Sequence, residues 1–226
     1  MKKKKRKIKL KGIIILFIGI LLIGSLIYWY LNKRITNIYV KGNNILKEQD
    51  IIKKANLEDY PMIYKVNTRL IKEKLIADDL IEDVTVSKSI LGKVIIDIKE
   101  NRPLFKMGDN MFILTNGKME ELNLSVQVPF LQGDVSADIY DDFIKKFSLI
   151  NKDILIKISE VKYAKSELDN ERFLLYMNDG NMVYVTLSKI ELINSYNEIY
   201  PTLEENKGIL YLDSGNHFEI KSKKNN

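Results

Sequence analysis

The residues best suited to do chemistry sit within five positions of each other: Asp213, Ser214 and His217, the chain's one histidine. A serine, a histidine and a carboxylate invite a nucleophilic relay, in which the imidazole takes the hydroxyl proton and the carboxylate orients the ring. These three occupy the tip of a short turn between two apolar runs, where neighbours in sequence do not converge on one substrate atom. No oxyanion-hole signature accompanies them. The acidic pairs Asp78-Asp79 and Asp141-Asp142 stand near lysines on amphipathic stretches, the setting of solvated ion pairs rather than acid–base dyads. The sequence contains no cysteine, no cluster with metal-ligand spacing and no phosphate-cradling glycine loop. These features lead us to expect a protein that is not an enzyme, with no cofactor, no metal and no small-molecule substrate.

What remains is surface. The edge of a small sheet offers unpaired backbone groups, and an incoming strand can complete the ladder while its side chains enter alternate pockets. Gly208 to Ile220 is the best such stretch, because Ile209, Tyr211, Phe218 and Ile220 lie where no later element need cover them. Strands Gly208–Leu212 and His217–Ile220 would flank a turn at Asp213-Ser214-Gly215-Asn216.

The elements needed to carry that edge are legible by period. Ile35 to Val40 alternates as a strand, Gly42-Asn43-Asn44 can turn sharply, and Leu46, Ile51, Ile52 and Ala55 share a helix face. A second helix runs from Asn67 to Asp79, with Asn67 or Thr68 as its cap. Val84 and Val86, then Val94, Ile96 and Ile98, mark two strands around Leu91-Gly92-Lys93. The order is strand, helix, helix, strand, strand, ending at Asn101-Arg102-Pro103. Beyond it the texture becomes β-rich. Phe105–Met107 and Met111–Thr115 form a hairpin before the Asn116-Gly117 turn, and Pro129 to Asp134 is a loop. Ile139, Phe143, Ile144, Phe147 and Ile150 line a helix. Ile158–Ala164, Arg172–Met177 and Met182–Leu187 are strands. Ile190, Ile193, Tyr196, Tyr200 and Leu203 mark a late helix that Pro201 ends or kinks. Lys221 to Asn226 is a polar tail expected to be disordered. The fold class is therefore α+β, with a small βααββ domain at 35–102 and a second, β-rich α+β domain at 103–220.

Ahead of both lies a segment of different character. Gly12 to Leu31 is uncharged for 20 residues, about 30 Å as a helix, and matches the hydrocarbon thickness of a bilayer. Thirteen of its side chains are Ile, Leu or Phe, and Tyr28, Trp29 and Tyr30 belong to an interfacial belt. A cleaved signal peptide would have a shorter apolar run ending in small residues. Eight basic residues lie between Lys2 and Lys11, which assigns 1–11 to the cytoplasm as a basic tail and the body to the outside. Removing these eight from the 36 basic residues leaves 28 against 30 acidic ones, so the body carries about −2. The net charge of +6 is thus a membrane-orienting feature, and no nucleic-acid partner is expected.

A basic tail, one span, IYVKGNN with Gly42 and Asn43 in its turn, strand-helix-helix-strand-strand and an Arg-Pro boundary together resemble the FtsQ/DivIB cell-division proteins. Their first outer module is a polypeptide-transport-associated (POTRA) domain. Pro129 and Gly133 match a loop of that family's β domain, and Gly208 to Phe218 its closing strand pair. The resemblance implies a non-enzymatic scaffold of the divisome, the division machinery, in the cell membrane and enriched at the division septum. It would bind FtsL and DivIC/FtsB-type bitopic proteins outside the membrane and help control the septal peptidoglycan synthase complex. Partner contact would map onto Ile209, Leu210, Tyr211, Leu212, Asp213, Ser214, Gly215 and Phe218. A POTRA-bearing adaptor of secretion or sporulation, and a membrane-anchored surface enzyme, are the alternatives left open by the sequence.

Overall fold

The computed structural model describes residues 10–199, 201 and 207–220. The basic run at 2–9, Tyr200, Leu203 and the tail at 221–226 lie outside the described residues. The first element, α1 (Leu10–Asn32), buries none of its side chains against protein. This 23-residue helix is long and apolar enough to cross a membrane.

The described chain divides between Glu100 and Asn101 into two compact units. In the first, β1 (Asn37–Lys41), α2 (Glu48–Lys54), α3 (Thr68–Ile76), β2 (Ile81–Lys88) and β3 (Lys93–Glu100) form the expected succession. The sheet order is β1-β3-β2. β3 lies in the middle, parallel to β1 from Asn37↔Lys93 to Lys41↔Asp97 and antiparallel to β2. Alternation along β3 turns Val94, Ile96 and Ile98 inward, where Ile51, Leu57, Ile63, Ile71 and Leu75 complete one core. Each such side chain contributes about 1.5–3 kcal/mol by leaving water. Asn67 caps α3, its Oδ1 accepting from the N–H groups of Arg69 (3.1 Å) and Leu70 (3.3 Å).

The β1–α2 turn shows why glycine stands at 42. Its φ is +77°, and a Cβ there would lie 2.0 Å from the Ile98 carbonyl oxygen. The amides of Asn44, Ile45 and Leu46 then converge on the Glu100 carboxylate, each at 2.8 Å. Asn43 donates from Nδ2 to the Leu46 carbonyl at 3.0 Å. Gly42 and Asn43 therefore shape the turn that launches α2.

The second unit is built on a nine-stranded sheet among the described residues. Its strands are β4 (Pro103–Lys106), β5 (Met111–Leu114), β6 (Met119–Glu121), β7 (Phe130–Gln132), β8 (Ile158–Tyr163), β9 (Arg172–Met177), β10 (Met182–Thr186), β11 (Gly208–Tyr211) and β12 (His217–Ile220). The spatial order is β12-β11-β10-β9-β8-β7-β4-β5-β6. Helices α4 (Tyr140–Phe147) and α5 (Lys152–Leu155) contribute to its core. Phe143 stacks on Phe105 and Phe173 with ring centroids 4.9 Å apart in each pair, and Phe147 packs edge-on to both partners. Arg102, at the head of this unit, donates to the carbonyls of Ser148 (2.9 Å) and Ile150 (3.4 Å) just past α4.

Two expectations are corrected here. The loop at Pro129–Asp134 contains β7, which runs parallel to both β4 and β8 and joins the two halves of the sheet. Three residues carry too little alternation to announce a strand. The late helix is mostly a tight 3-10 segment, Leu187–Ser195, followed by one α turn, α6 (Tyr196–Ile199). Its buried residues Leu187, Ile190, Ile193 and Tyr196 recur every third position. That spacing aligns them on one side of a three-residue turn, so the core selects the tighter helix.

Candidate partner-binding edge

The final hairpin is held to the sheet by a small polar network. Asn181, at the entry to β10, is 1% exposed. Its Oδ1 accepts from the Gly208 N–H at 3.0 Å, and its Nδ2 donates to the Tyr196 hydroxyl at 3.0 Å. That hydroxyl donates to Asp179 Oδ2 at 2.7 Å. One turn between β9 and β10 thus fixes both the start of β11 and the start of α6.

β11 is paired on both sides. It lies parallel to β10 (Met182↔Ile209 to Tyr184↔Tyr211) and antiparallel to β12 (Gly208↔Ile220 to Tyr211↔His217). Its backbone is committed to the ladder, so within the expected stretch Gly208 to Ile220 the strand that keeps a free side is β12. Among the described residues the open edge at this end of the sheet is β12, and the other end is β6. Gly208 has no room for a side chain, since a Cβ would come 2.0 Å from the Glu219 carbonyl oxygen. Leu210 and Leu212 are buried, and the Leu212 N–H donates to the Tyr184 carbonyl at 2.8 Å. These residues support the edge from behind.

Of the eight residues expected to meet a partner, Phe218 is the one on the edge strand itself, half-buried against the core. Ile209 and Tyr211 lie on the opposite side of β11 from Leu210. Asp213 accepts from Arg172 Nε at 2.6 Å, while Ser214 and Gly215 form the exposed tip, with Gly215 at φ +84°. Sequence reasoning missed β12's neighbours on the core side. Leu192, Ser195, Ile199, Leu210, Leu212, Asn216 and Phe218 line an open groove of about 290 Å³ along the hairpin. Its apolar walls come from the 3-10 segment and from the inward side chains of β11 and β12, which only the tertiary fold brings together.

The outward face carries a row of stacked groups across four strands. The Arg172 guanidinium lies 3.7 Å from the Tyr184 ring centroid, Tyr184 stacks on Tyr211 at 5.5 Å, and Tyr211 on His217 at 4.7 Å. Tyr211 donates its hydroxyl to Glu219 Oε2 at 3.2 Å. Partial desolvation, with the Glu219 carboxylate beside it, pushes the Tyr211 phenol above its ordinary range. The relay suggested by Asp213, Ser214 and His217 is not assembled. His217 Nδ1 faces the Ser214 carbonyl oxygen at 3.1 Å rather than the hydroxyl, and Asp213 is paired with Arg172.

Comparison with known proteins places this architecture. The FtsQ-type POTRA domain profile matches residues 33–101. The chain is 28% identical over 230 residues to the cell division protein DivIB of Listeria monocytogenes, covering 96% of this chain and 85% of that protein. It is 26% identical over 228 residues to DivIB of Bacillus subtilis, covering 96% and 87%. The major extracytoplasmic domain of DivIB from Geobacillus stearothermophilus aligns at 24% identity and a TM-score of 0.39, covering 48% of this chain and 98% of that domain. An FtsQ-type POTRA domain thus stands at the head of a chain that is similar, nearly end to end, to the DivIB proteins of bacterial cell division.

Proposed function

We propose that this chain is a non-enzymatic, single-pass scaffold of the divisome that captures bitopic FtsL and DivIC/FtsB-type partners by strand addition and so helps regulate the septal peptidoglycan synthase complex. In this reading residues 1–11 are a cytoplasmic basic tail and 12–31 span the membrane. The POTRA domain (35–102) and β domain (103–220) stand outside, and the protein gathers at the division septum. The observation that carries it is β12, an edge strand with an apolar groove alongside. A partner strand laid against β12 would complete the backbone ladder, and its alternate side chains would enter the groove beside Phe218. Ile209, Leu210, Tyr211 and Leu212 back that edge, while Asp213, Ser214 and Gly215 form the tip a partner passes. Anchoring scaffold and partners in one membrane raises their effective concentration, so a short strand contact suffices.

Proline substitution tests the edge directly. Successive N–H groups along a strand point to opposite sides within the sheet, so of Glu219 and Ile220 one N–H faces β11 and the other faces outward. Both side chains are exposed. One of Glu219→Pro and Ile220→Pro should abolish capture of an FtsL/DivIC-type partner while leaving the unfolding midpoint of the β domain unchanged. Capture at wild-type strength by both folded variants would contradict strand addition at β12.

A further inference from the structure

The apolar residues of the β2–β3 turn are not explained by partner capture at β12. The turn reads Lys88-Ser89-Ile90-Leu91-Gly92-Lys93, and Ile90 and Leu91 are 65% and 59% exposed. Two neighbouring branched apolar side chains at a hairpin tip are costly in water, and the first core takes in neither of them.

Topology determines where this tip lies. β1 and β3 are parallel with Asn37 opposite Lys93, so the turn that precedes β3 sits at the same end of the sheet as the chain entering β1. That entering chain comes straight from α1, with Lys33 to Thr36 between them. The connection is bound on both sides. The Gly92 carbonyl accepts from the Thr36 N–H at 2.7 Å and from the Thr36 hydroxyl at 3.2 Å. The Ile35 N–H donates to the Pro61 carbonyl at 3.0 Å, and the Ile63 N–H to the Lys33 carbonyl at 2.8 Å. Gly92 packs so closely that a Cβ would sit 2.6 Å from the Arg34 carbonyl oxygen. Tyr30, in the last turns of α1, packs against the POTRA core. The hairpin tip is therefore tied to the helix exit instead of hanging on a free linker.

The charge pattern suits the same neighbour. Arg34, Lys65 and Lys93 are exposed at this end, and Lys33 reaches back over the Trp29 ring at 5.9 Å. The headgroup layer of a bilayer is about 5–8 Å deep on each side, and an apolar tip bonded to the residues leaving the span falls within that depth. Cations beside the tip would meet lipid phosphates.

We propose that the POTRA unit docks on the outer surface of the membrane, with Ile90 and Leu91 inserted at the boundary between headgroups and acyl chains and Lys33, Arg34 and Lys93 on anionic lipid. The occupant of this apolar tip is the bilayer. Such docking holds the POTRA unit in one orientation at the membrane. The inference rests on the reading of α1 as a membrane span, and the test separates the two.

Because the chain has no cysteine, single-thiol variants report one position each. Full-length chains carrying Leu91→Cys, Glu48→Cys or Leu22→Cys, labelled with an environment-sensitive fluorophore, are reconstituted in phosphatidylethanolamine–phosphatidylglycerol vesicles. Lipids carrying nitroxides along their acyl chains serve as the quencher. Glu48 opens α2, beyond the far end of β1, and serves as the water-exposed reference. The expected result is a blue shift and loss of emission at positions 91 and 22, with neither at 48. Quenching at 22 without quenching at 91 would overturn membrane docking while leaving the span intact. A blue shift at 91 without lipid quenching would assign the tip to a protein partner, again against the proposal. Absence of quenching at both 22 and 91 would remove the span and the docking together.

Discussion

Single side chains set the candidate edge more firmly than its own residues do. Asn181 supplies both of its amide atoms to partners outside its strand, and burial makes those bonds hard to replace with water. Asn181→Ala should leave the Gly208 N–H without an acceptor and lower stability by about 1–3 kcal/mol in urea unfolding. Asn67 could be read from sequence as a helix cap, because its chemistry acts on amides two and three residues away. Asn181 could not, since its partners Tyr196 and Gly208 are brought to it by the fold. The same holds for Arg172, whose stacking on Tyr184 and pairing with Asp213 link residues of different strands. His217, singled out by its chemistry, proves to be the end of a stacked row.

At the scale of elements, strands with several alternations were legible and very short ones were not. β3 alternates through eight residues and β9 sits between clear turns, whereas β6 and β7 have three residues each and no readable period. Pairing partners are invisible to period altogether, which is why the parallel joins of β7 and the pairing of β11 on both sides emerge only in the folded chain. The sequence does place the last hairpin at the end of the sheet. It does not reveal that β12 covers β11. Gly208 is the point where that hairpin is most easily broken. Gly208→Ala drives a methyl group into the Glu219 carbonyl and the Phe218 ring. Accommodating it should displace β12 at a cost of about 1–3 kcal/mol. Amide exchange at 217–220 should accelerate while the amides of β9 remain protected. Unchanged exchange in β12 would show that the hairpin accommodates the methyl group without the strands separating.

The whole molecule combines a helix able to cross a membrane, a POTRA domain of FtsQ type and a β-rich unit with an open strand at one end. Its charge divides accordingly: eight cations crowd the amino terminus, and the body that follows is nearly neutral. A nearly neutral body suits recognition by backbone pairing and apolar contact better than long-range electrostatic capture. The proposed capture of a partner strand by β12 can be read by hydrogen exchange of the full chain in bilayer discs, with and without a co-reconstituted FtsL/DivIC-type partner. The outward-facing amides of β12, alternate residues within His217 to Ile220, should become protected on partner addition, while those of β6, at the opposite edge, do not change. Exchange at 217–220 that stays the same under saturating partner would contradict that capture.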